Sequence, residues 1–376
     1  MKLRFFIFVC TLICTSCVPP SKIIEMQGIS TILGFDLLDD ETYKGTISLL
    51  QFDGSQGKTS TTISAEGSTS KEIRQRLEQQ TSHDISSGQL RTILFDKKMA
   101  EEGIFSFLDT MLRDTSINPL IFLAITDKSE ETINSKEYEE FPEMGSYMYQ
   151  LLDKHEKKEM LINSNLHDFV SALYESGIDP TLPIIKNIKG EAPFIEAVAL
   201  FRDDKMVGSI SLIKTFYIKL FTNKNAFLGD LTLTIPSDKL EKTGVLISEN
   251  AENEKYKITL HPINYHGKIE VVNNEIVNLN ASISVSILET QPSASIIDKE
   301  STRKLERLIG EELKNEFEKI LEELKILETD PIGIGRKIKS LRKYSHLSNG
   351  ELSEKYSALK IKPNITVEIK RPGAVN

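Results

Sequence analysis

The sequence has 376 residues, 39% of them hydrophobic and 27% charged, with 46 Lys and Arg against 55 Asp and Glu and a net charge of −9. This is the composition of a globular protein with ordinary cores, and the length suits two or three domains. An acidic chain without a concentrated basic patch argues against nucleic-acid binding and gives no attraction to anionic lipid, and the lack of Trp excludes a Trp-based binding platform.

The first seventeen residues are organised differently from the rest. Lys2 and Arg4 precede an apolar run from Phe5 to Ile13, followed by small Thr15 and Ser16 and then Cys17. This is the plan of a secretory signal, too short to span a bilayer, which takes roughly 20 apolar residues. A small residue directly before a cysteine resembles a bacterial lipobox, with Cys14 where Leu is usual. The resemblance implies cleavage after residue 16 and lipid attachment at Cys17; an ordinary cleaved signal is the alternative. Several acyl chains would anchor firmly, whereas one alone is marginal. All three cysteines (Cys10, Cys14, Cys17) lie in or at the end of this signal. The remainder therefore has no disulfide or thiol chemistry.

Beyond the signal, Ile23 to Leu38 reads as extended and apolar, with Gly28 and Gly34 as breaks. Asp39 to Glu41 is a turn and Tyr43 to Phe52 a strand, so a hairpin is expected. Asp53 to Gly67 reads as a loop rich in Gly, Ser and Thr. Thr69 and Glu72 form a capping box that opens a helix to Gln80. Leu90 to Phe95 and Leu120 to Ile125 are apolar strands. Between them Ile104, Phe107, Leu108, Met111 and Leu112 recur at helical spacing. The alternation predicts α/β layers. Lys136 to Lys158 reads as a surface helix, and Asn165 caps a helix that stops by Gly177.

Pro, Gly and charge accumulate between Pro183 and Pro193, which places a domain boundary there. Phe194 to Phe201 and Met206 to Ile210 flank a four-residue hairpin loop, Arg202 to Lys205. A short helix over Leu212 to Phe221 and strands at Leu231 to Ile235, Gly244 to Ser248 and Lys255 to Leu260 complete a small β-rich unit. Strands around Lys268 to Val272 and Ile276 to Leu288 precede a helix from about Asp298 to Glu328, roughly 45 Å long. Its apolar face is Leu305, Ile309, Leu313, Phe317, Ile320, Leu324 and Leu327, which requires a sheet or helix beneath it; a coiled coil is the alternative. A short basic helix at Ile338 to His346 and a strand at Ile365 to Ile369 close the chain. The expected architecture is α+β: a signal peptide (1–16), an N-terminal α/β domain (17–190), a small middle β-rich domain (191–255) and a C-terminal α+β domain (256–376), an antiparallel sheet packed by the long helix.

Motifs for chemistry are scarce. Gly54-Ser-Gln-Gly57-Lys58-Thr59 has two residues between its glycines where a phosphate-cradling loop needs four. Gly333-Ile-Gly335 follows a helix rather than a strand and reads as a helix stop. No two of the six histidines (His83, His155, His167, His261, His266, His346) stand at i,i+4 around a Glu, so no helical zinc site is visible. There is no Gly-x-Ser-x-Gly elbow. Nothing in the spacing brings two carboxylates together for acid–base work. The residues point away from an enzyme and imply no catalytic residue, metal or cofactor.

Several segments, in order, resemble the Ger(x)C family of spore germination lipoproteins. One is the signal ending at Cys17. Another is Ser82 to Asp114, where His83, Gly88, Gly103, Leu112, Arg113 and Asp114 take the matching places. The others are Asp179-Pro-Thr-Leu-Pro183, the hairpin Ala197 to Val207 with Gly208, Asp330-Pro-Ile-Gly333 after the long helix, and Val367 to Gly373. Val18-Pro19-Pro20 stands where the family often has Trp-Asp. The resemblance implies a three-domain α+β lipoprotein on the outer face of the spore inner membrane, the C subunit of a nutrient germinant receptor. It would act beside membrane A and B subunits, with direct small-molecule contact left open. Two other functions fit the composition less well. A solute-binding lipoprotein of a transporter would show two similar lobes, and an extracytoplasmic hydrolase would show nucleophile or metal-ligand spacing.

Overall fold

In the computed structural model, residues 26–39, 41–53, 57–136, 143–158, 161–162, 164–222, 229–247, 255–291, 294–295 and 298–371 are described. The signal segment and Cys17 lie outside them. Two sheets organise the chain. The first has nine strands: β1 (Gln27–Asp39), β2 (Thr42–Asp53), β3 (Gly57–Gly67), β4 (Asp84–Ser86), β5 (Thr92–Asp96), β6 (Phe122–Thr126), β7 (Thr181–Lys186), β8 (Phe194–Arg202) and β9 (Lys205–Ser211). Their order is β3-β2-β1-β5-β6-β7-β8-β9, with β4 also on β1. The centre (β1, β5, β6, β7) is parallel and both flanks are antiparallel.

The parallel centre explains the unbroken apolar runs. Every residue of β5 and β6 is buried, as expected when both faces of a sheet are covered. Ile93, Phe95, Leu123 and Ile125 point into one core. That core takes in residues of the helices α1 (Ser70–Glu78), α2 (Lys97–Glu102), α3 (Phe105–Leu112) and, beyond α4 (Ser129–Ile133) and α5 (Met144–Lys157), α6 (Leu166–Tyr174). Leu94, Phe122 and Ala124 point to the other face, whose core runs on into the C-terminal half. Met144, Met148 and Leu152 of α5 are buried there, so the expected surface helix is a core helix with an i,i+4,i+8 stripe.

The second sheet, β10-β12-β13-β15, consists of β10 (Leu231–Pro236), β12 (Lys255–Val271), β13 (Ile276–Gln291) and β15 (Lys360–Arg371); β11 (Leu246–Ile247) and β14 (Ala294–Ser295) form a separate ladder. The helices of this half are α7 (Thr215–Thr222), α8 (Ser237–Glu241), α9 (Lys299–Ile326), α10 (Ile334–Lys339) and α11 (Asn349–Ala358). The long helix α9 lies over this sheet, not in a coiled coil. Leu305, Ile309, Leu313, Phe317, Ile320 and Leu324 are all buried, in one core with Ile258, Leu260, Leu279, Ile283 and Val285 of the strands. Asp298 caps its N-terminus by accepting from Ser301 N–H at 2.8 Å. The helices α9 to α11 form the crossover that lets β15 run parallel to β13, since parallel neighbours need a long connection. The other pairings are antiparallel. The α+β class with a helix-packed C-terminal sheet therefore holds, with one parallel edge.

Other expectations change. Residues 57–67 are an edge strand, not a loop: Thr and Ser fit a pleated surface, and Thr46 pairs with Ser64 at 2.9 Å and Ser48 with Ser60 at 3.1 Å across it. Gly28 and Gly34 sit inside β1, not at breaks; a Cβ on Gly34 would meet Ser129 Oγ at 2.5 Å. The strands expected at 255–260 and 268–272 are one strand, kinked at a bulge around Pro262, where a missing N–H is tolerated. The expected helix 338–346 is replaced by the earlier α10 and a 3₁₀ turn at Arg342–Tyr344, and α11 was not anticipated. The β8–β9 loop is two residues, Asp203 and Asp204, with Asp203 at φ 53°. Residues 191–255 do not build a sheet of their own: β8 pairs with β7 across the expected boundary, whereas β10 joins the second sheet. Val198 to Phe201 are buried and complete the first sheet's flank.

Candidate functional site at the junction of the two sheets

Open α/β sheets offer a ligand crevice at the carboxyl ends of their parallel strands. Here Asp36 and Asp96 fill that edge and Glu143 stands at the opposite end of β5, all three committed to the scaffold. Asp36, 2% exposed, accepts from Ser129 N–H at 2.8 Å, Ser129 Oγ at 2.7 Å and Glu130 N–H at 3.0 Å, capping α4. Asp96 accepts from Leu37 and Met99 N–H and pairs with Lys128 at 3.1 Å. Glu143 accepts from Thr31 Oγ1, Gly145 N–H, and both N–H and Oγ of Ser146, at 2.6–2.8 Å.

A second set of carboxylates joins the two halves. Asp204 accepts from Phe105 N–H at 3.0 Å, at the start of α3, and a Cβ on Gly103 (φ +121°) would meet its Oδ2 at 2.7 Å. Asp179 accepts from Asp203 N–H at 3.3 Å and Asp330 N–H at 2.7 Å; its own N–H donates to the Asp330 carbonyl at 3.0 Å. Asp330, 5% exposed, accepts from Gly333 N–H at 2.9 Å and Gly335 N–H at 2.7 Å, shaping the turn into α10. Thr329 Oγ1 donates to the Phe201 carbonyl at 2.5 Å. Arg336 N–H donates to the Gly177 carbonyl at 2.6 Å. At Gly177 (φ +80°) the two backbones touch: a Cβ there would lie 2.3 Å from Gly335 C. Arg202–Glu328 and Arg336–Glu175 ion pairs flank the junction.

A cavity of about 340 Å³ opens beside this knot, lined by Asp179, Asp330, Arg202, Asn349, Ser353 and Tyr356 among others. Burial pushes the Asp330 carboxyl up to about 7 despite its backbone donors, with Asp179 adding a like charge. Burial also raises Asp179, against the pull of its two N–H donors. The Tyr356 hydroxyl is buried without a hydrogen-bond partner. Burial holds its pKa well above the usual phenol value, and both aspartates add to this.

The segments singled out in the sequence thus meet in space: Gly103, Asp179, the 202–204 turn and Asp330 to Gly335. Gly333-Ile-Gly335 is more than a helix stop, because Gly333 opens α10 and Gly335 packs on Gly177. Other candidates stay apart. Gly57 to Thr59 belong to β3, and Gly54 to Gln56 lie outside the described residues. His261 pairs with Asp230 at 2.7 Å on the surface. His83 lies at the far end of β1, its Cβ near Gly28. Asp114 pairs with Arg74 at 3.1 Å, and Arg113 with Asp109 at 3.0 Å. Among the described residues no group of three or more His, Cys, Asp or Glu could hold a metal ion. No helix there is long and apolar enough to cross a membrane. Tyr356 was missed by the sequence reading, although Ser348-x-x-Glu351 is a capping box that announces its helix.

Comparison with known proteins agrees with this geometry. Residues 20–187 match the family described as the spore germination protein N-terminal domain. Residues 196–373 match the spore germination B3/GerAC-like C-terminal family. The spore germination protein GerQC of Bacillus cereus is 25% identical over 357 residues, 94% of each chain. The crystal structure of the GerBC protein superposes with a TM-score of 0.57 at 14% identity, covering 90% of this chain and 96% of that one, and so shares its fold. With both halves matched in order along nearly the whole chain, the protein belongs to the Ger(x)C (GerAC-like) family of spore germination proteins.

Proposed function

We propose that this chain is the lipid-anchored C subunit of a spore nutrient germinant receptor. In this reading it is held on the extracytoplasmic face of the membrane through Cys17, works beside membrane A and B subunits, and carries out no catalytic step itself. The family match over both halves of the chain carries the reading. The signal ending at Cys17 supports the anchor. The acidic composition supports it too, because charge would not hold the body on anionic lipid and acyl chains would have to. The buried carboxylates of the first sheet cap helices, which supports a scaffolding rather than a catalytic role.

The test is recovery from purified spore inner membranes, with Cys17→Ala as the control. Wild type should co-purify with polytopic receptor subunits, and Cys17→Ala should be lost from the membrane. A wild-type protein that is membrane-bound but alone would remove the receptor-subunit reading. A Cys17→Ala protein still on the membrane would remove the lipid anchor.

A further inference from the structure

The chain as a whole is acidic, at −9, yet one stretch reverses the sign. Residues 336–362 hold eight Lys and Arg against two Glu. They run through α10, the 3₁₀ turn and α11 into β15. Among the described residues Arg336 alone of the eight has an ion-pair partner, Glu175. Lys337, Arg342, Lys343, Lys360 and Lys362 are exposed. The turn between β12 and β13 gathers this charge. Lys343 Nζ donates to Asn274 Oδ1 at 2.8 Å and Lys355 Nζ to the Asn274 carbonyl at 2.9 Å, and both lie over the Tyr344 ring. Lys360 N–H donates to the Glu275 carbonyl at 2.7 Å. Of the acids beside them, Glu351 is tied into the Ser348 capping box and Glu270 accepts from Asn280.

The position of this stretch matters. α10 packs on Gly177, in the turn that leads into β7, and β7 is parallel to β6, β5 and β1. The basic stretch therefore stands at the end of the molecule where the chain enters β1. β1 and β7 are three strand spacings apart, about 15 Å. Nine residues lead from Cys17 to Met26 and can span at most about 30 Å. The same end collects apolar side chains. Among the described residues the four most exposed large ones are Ile326, Tyr174, Met26 and Leu120, at 61–81%. Met26 precedes β1, Leu120 precedes β6, Tyr174 ends α6, and Ile326 ends α9 close to the Arg202–Glu328 pair.

We propose that this end of the body is the face that lies on the membrane, with its cations against anionic phospholipid headgroups and its exposed apolar side chains at the headgroup–acyl boundary. Basic and apolar groups on one face are what an interfacial surface needs. The acids elsewhere on the body oppose this little, because charges more than about 8–10 Å from the surface are screened. The inference rests on the anchor at Cys17: acyl chains hold the body, and the basic face sets which end it turns to the lipid.

The experiment uses the whole mature chain, whose single thiol at Cys17 is coupled to a maleimide-bearing lipid in vesicles. The tether is then present whether or not cells acylate the residue. Vesicles of phosphatidylcholine alone are compared with vesicles holding about 30% phosphatidylglycerol, and lysine accessibility is read by amine acylation and mass spectrometry. On the anionic vesicles Lys337, Lys360 and Lys362 should react about 5-fold more slowly than on neutral ones, the worth of one lysine at such a surface. Lys299 and Lys304, at the other end of α9 about 40 Å away, should react equally on both. Sodium chloride at about 0.5 M should abolish the difference. The triple variant Lys337→Gln, Arg342→Gln, Lys343→Gln removes exposed groups without ion pairs and should fold as wild type; its Lys360 and Lys362 should lose their protection. Ile326→Asp should reduce the protection as well. Equal reactivity of the three lysines on both vesicles, or protection of Lys299 and Lys304 instead, overturns the proposal, as does full protection in the triple variant. These outcomes concern orientation alone; the anchor stands or falls by Cys17→Ala in spores.

Discussion

Two regions of this molecule bury carboxylates, and they treat them differently. At the two ends of the first sheet's parallel strands, Asp36, Asp96 and Glu143 meet three or four donors each, from helix N-termini, hydroxyls or Lys128. At the junction, buried Asp330 meets three backbone N–H groups and half-buried Asp179 two, and among the described residues neither has a side-chain donor or an ion-pair partner. A buried carboxylate is tolerated when its lone pairs are filled. The first set is therefore part of the scaffold, comparable to a helix cap. The second set keeps a cost that burial makes visible, with Asp330 pushed up to about 7. The two sets differ in the kind of donor: side-chain hydroxyls or Lys128 join the backbone in the first, and backbone N–H groups stand alone in the second.

The comparison can be broken most severely by adding a carboxylate with no donors. Leu313 is 1% exposed under α9, so Leu313→Asp should cost more than ~4 kcal/mol, seen as loss of the cooperative denaturant transition. An unchanged melting curve would contradict the packing of α9 on the second sheet. Gly177→Ala attacks the frame that holds the junction acids. The Cβ collides with the Gly335 backbone and φ is +80°, so a loss of about 2–4 kcal/mol is expected. Glu143→Gln replaces one accepting oxygen by a donor facing donors, and should lower stability by about 1–3 kcal/mol.

The junction acid should behave otherwise, because its effect depends on pH. Between about pH 4 and 7 the folded chain holds a proton on Asp330 that the unfolded chain has released. This group's contribution to stability therefore falls as pH rises through that window and is flat above it. The stability lost by Asp330→Asn should accordingly be larger at pH 4.5 than at pH 8 in paired urea melts. Asp179, Asp203, Glu328, Arg202, Arg336 and Tyr356 line the same junction and are present in both chains; Asp179, coupled to Asp330 by like charge, loses that repulsion in the variant, so the difference reports the pair. The smallest effect belongs to Tyr356→Phe. Removing an unpartnered buried hydroxyl should raise stability, by about 1 kcal/mol.

Much of the scaffold could be read from local pattern. The α9 stripe from Leu305 to Leu324 has a helical period over more than five turns. β5 and β6 are short apolar runs, and Thr69, Asn165 and Asp298 cap the helices expected of them. What escaped was decided by partners distant in sequence. β3 is polar and becomes a strand only because β2 offers a ladder. The middle segment lost its independence because β8 completes β7 and β10 completes β12. The site shows the same division. Asp179-Pro, the 202–204 turn and Asp330 to Gly335 were all recognisable as segments, yet their meeting depends on a contact 151 residues long. No spacing rule announces it. Tyr356 escaped for a different reason, since its helix is short and weakly amphipathic, but the Ser348 to Glu351 box was there to be read.

The most direct measurement is the pH titration of the Asp330 side-chain carboxyl carbon by ¹³C NMR, assigned by its disappearance in Asp330→Asn. A midpoint near pH 7 is expected, well above the usual aspartate value of about 3.9. A midpoint at or below that value would mean that the junction carboxylate is as well satisfied as a scaffold acid, and the distinction between the two regions would fall.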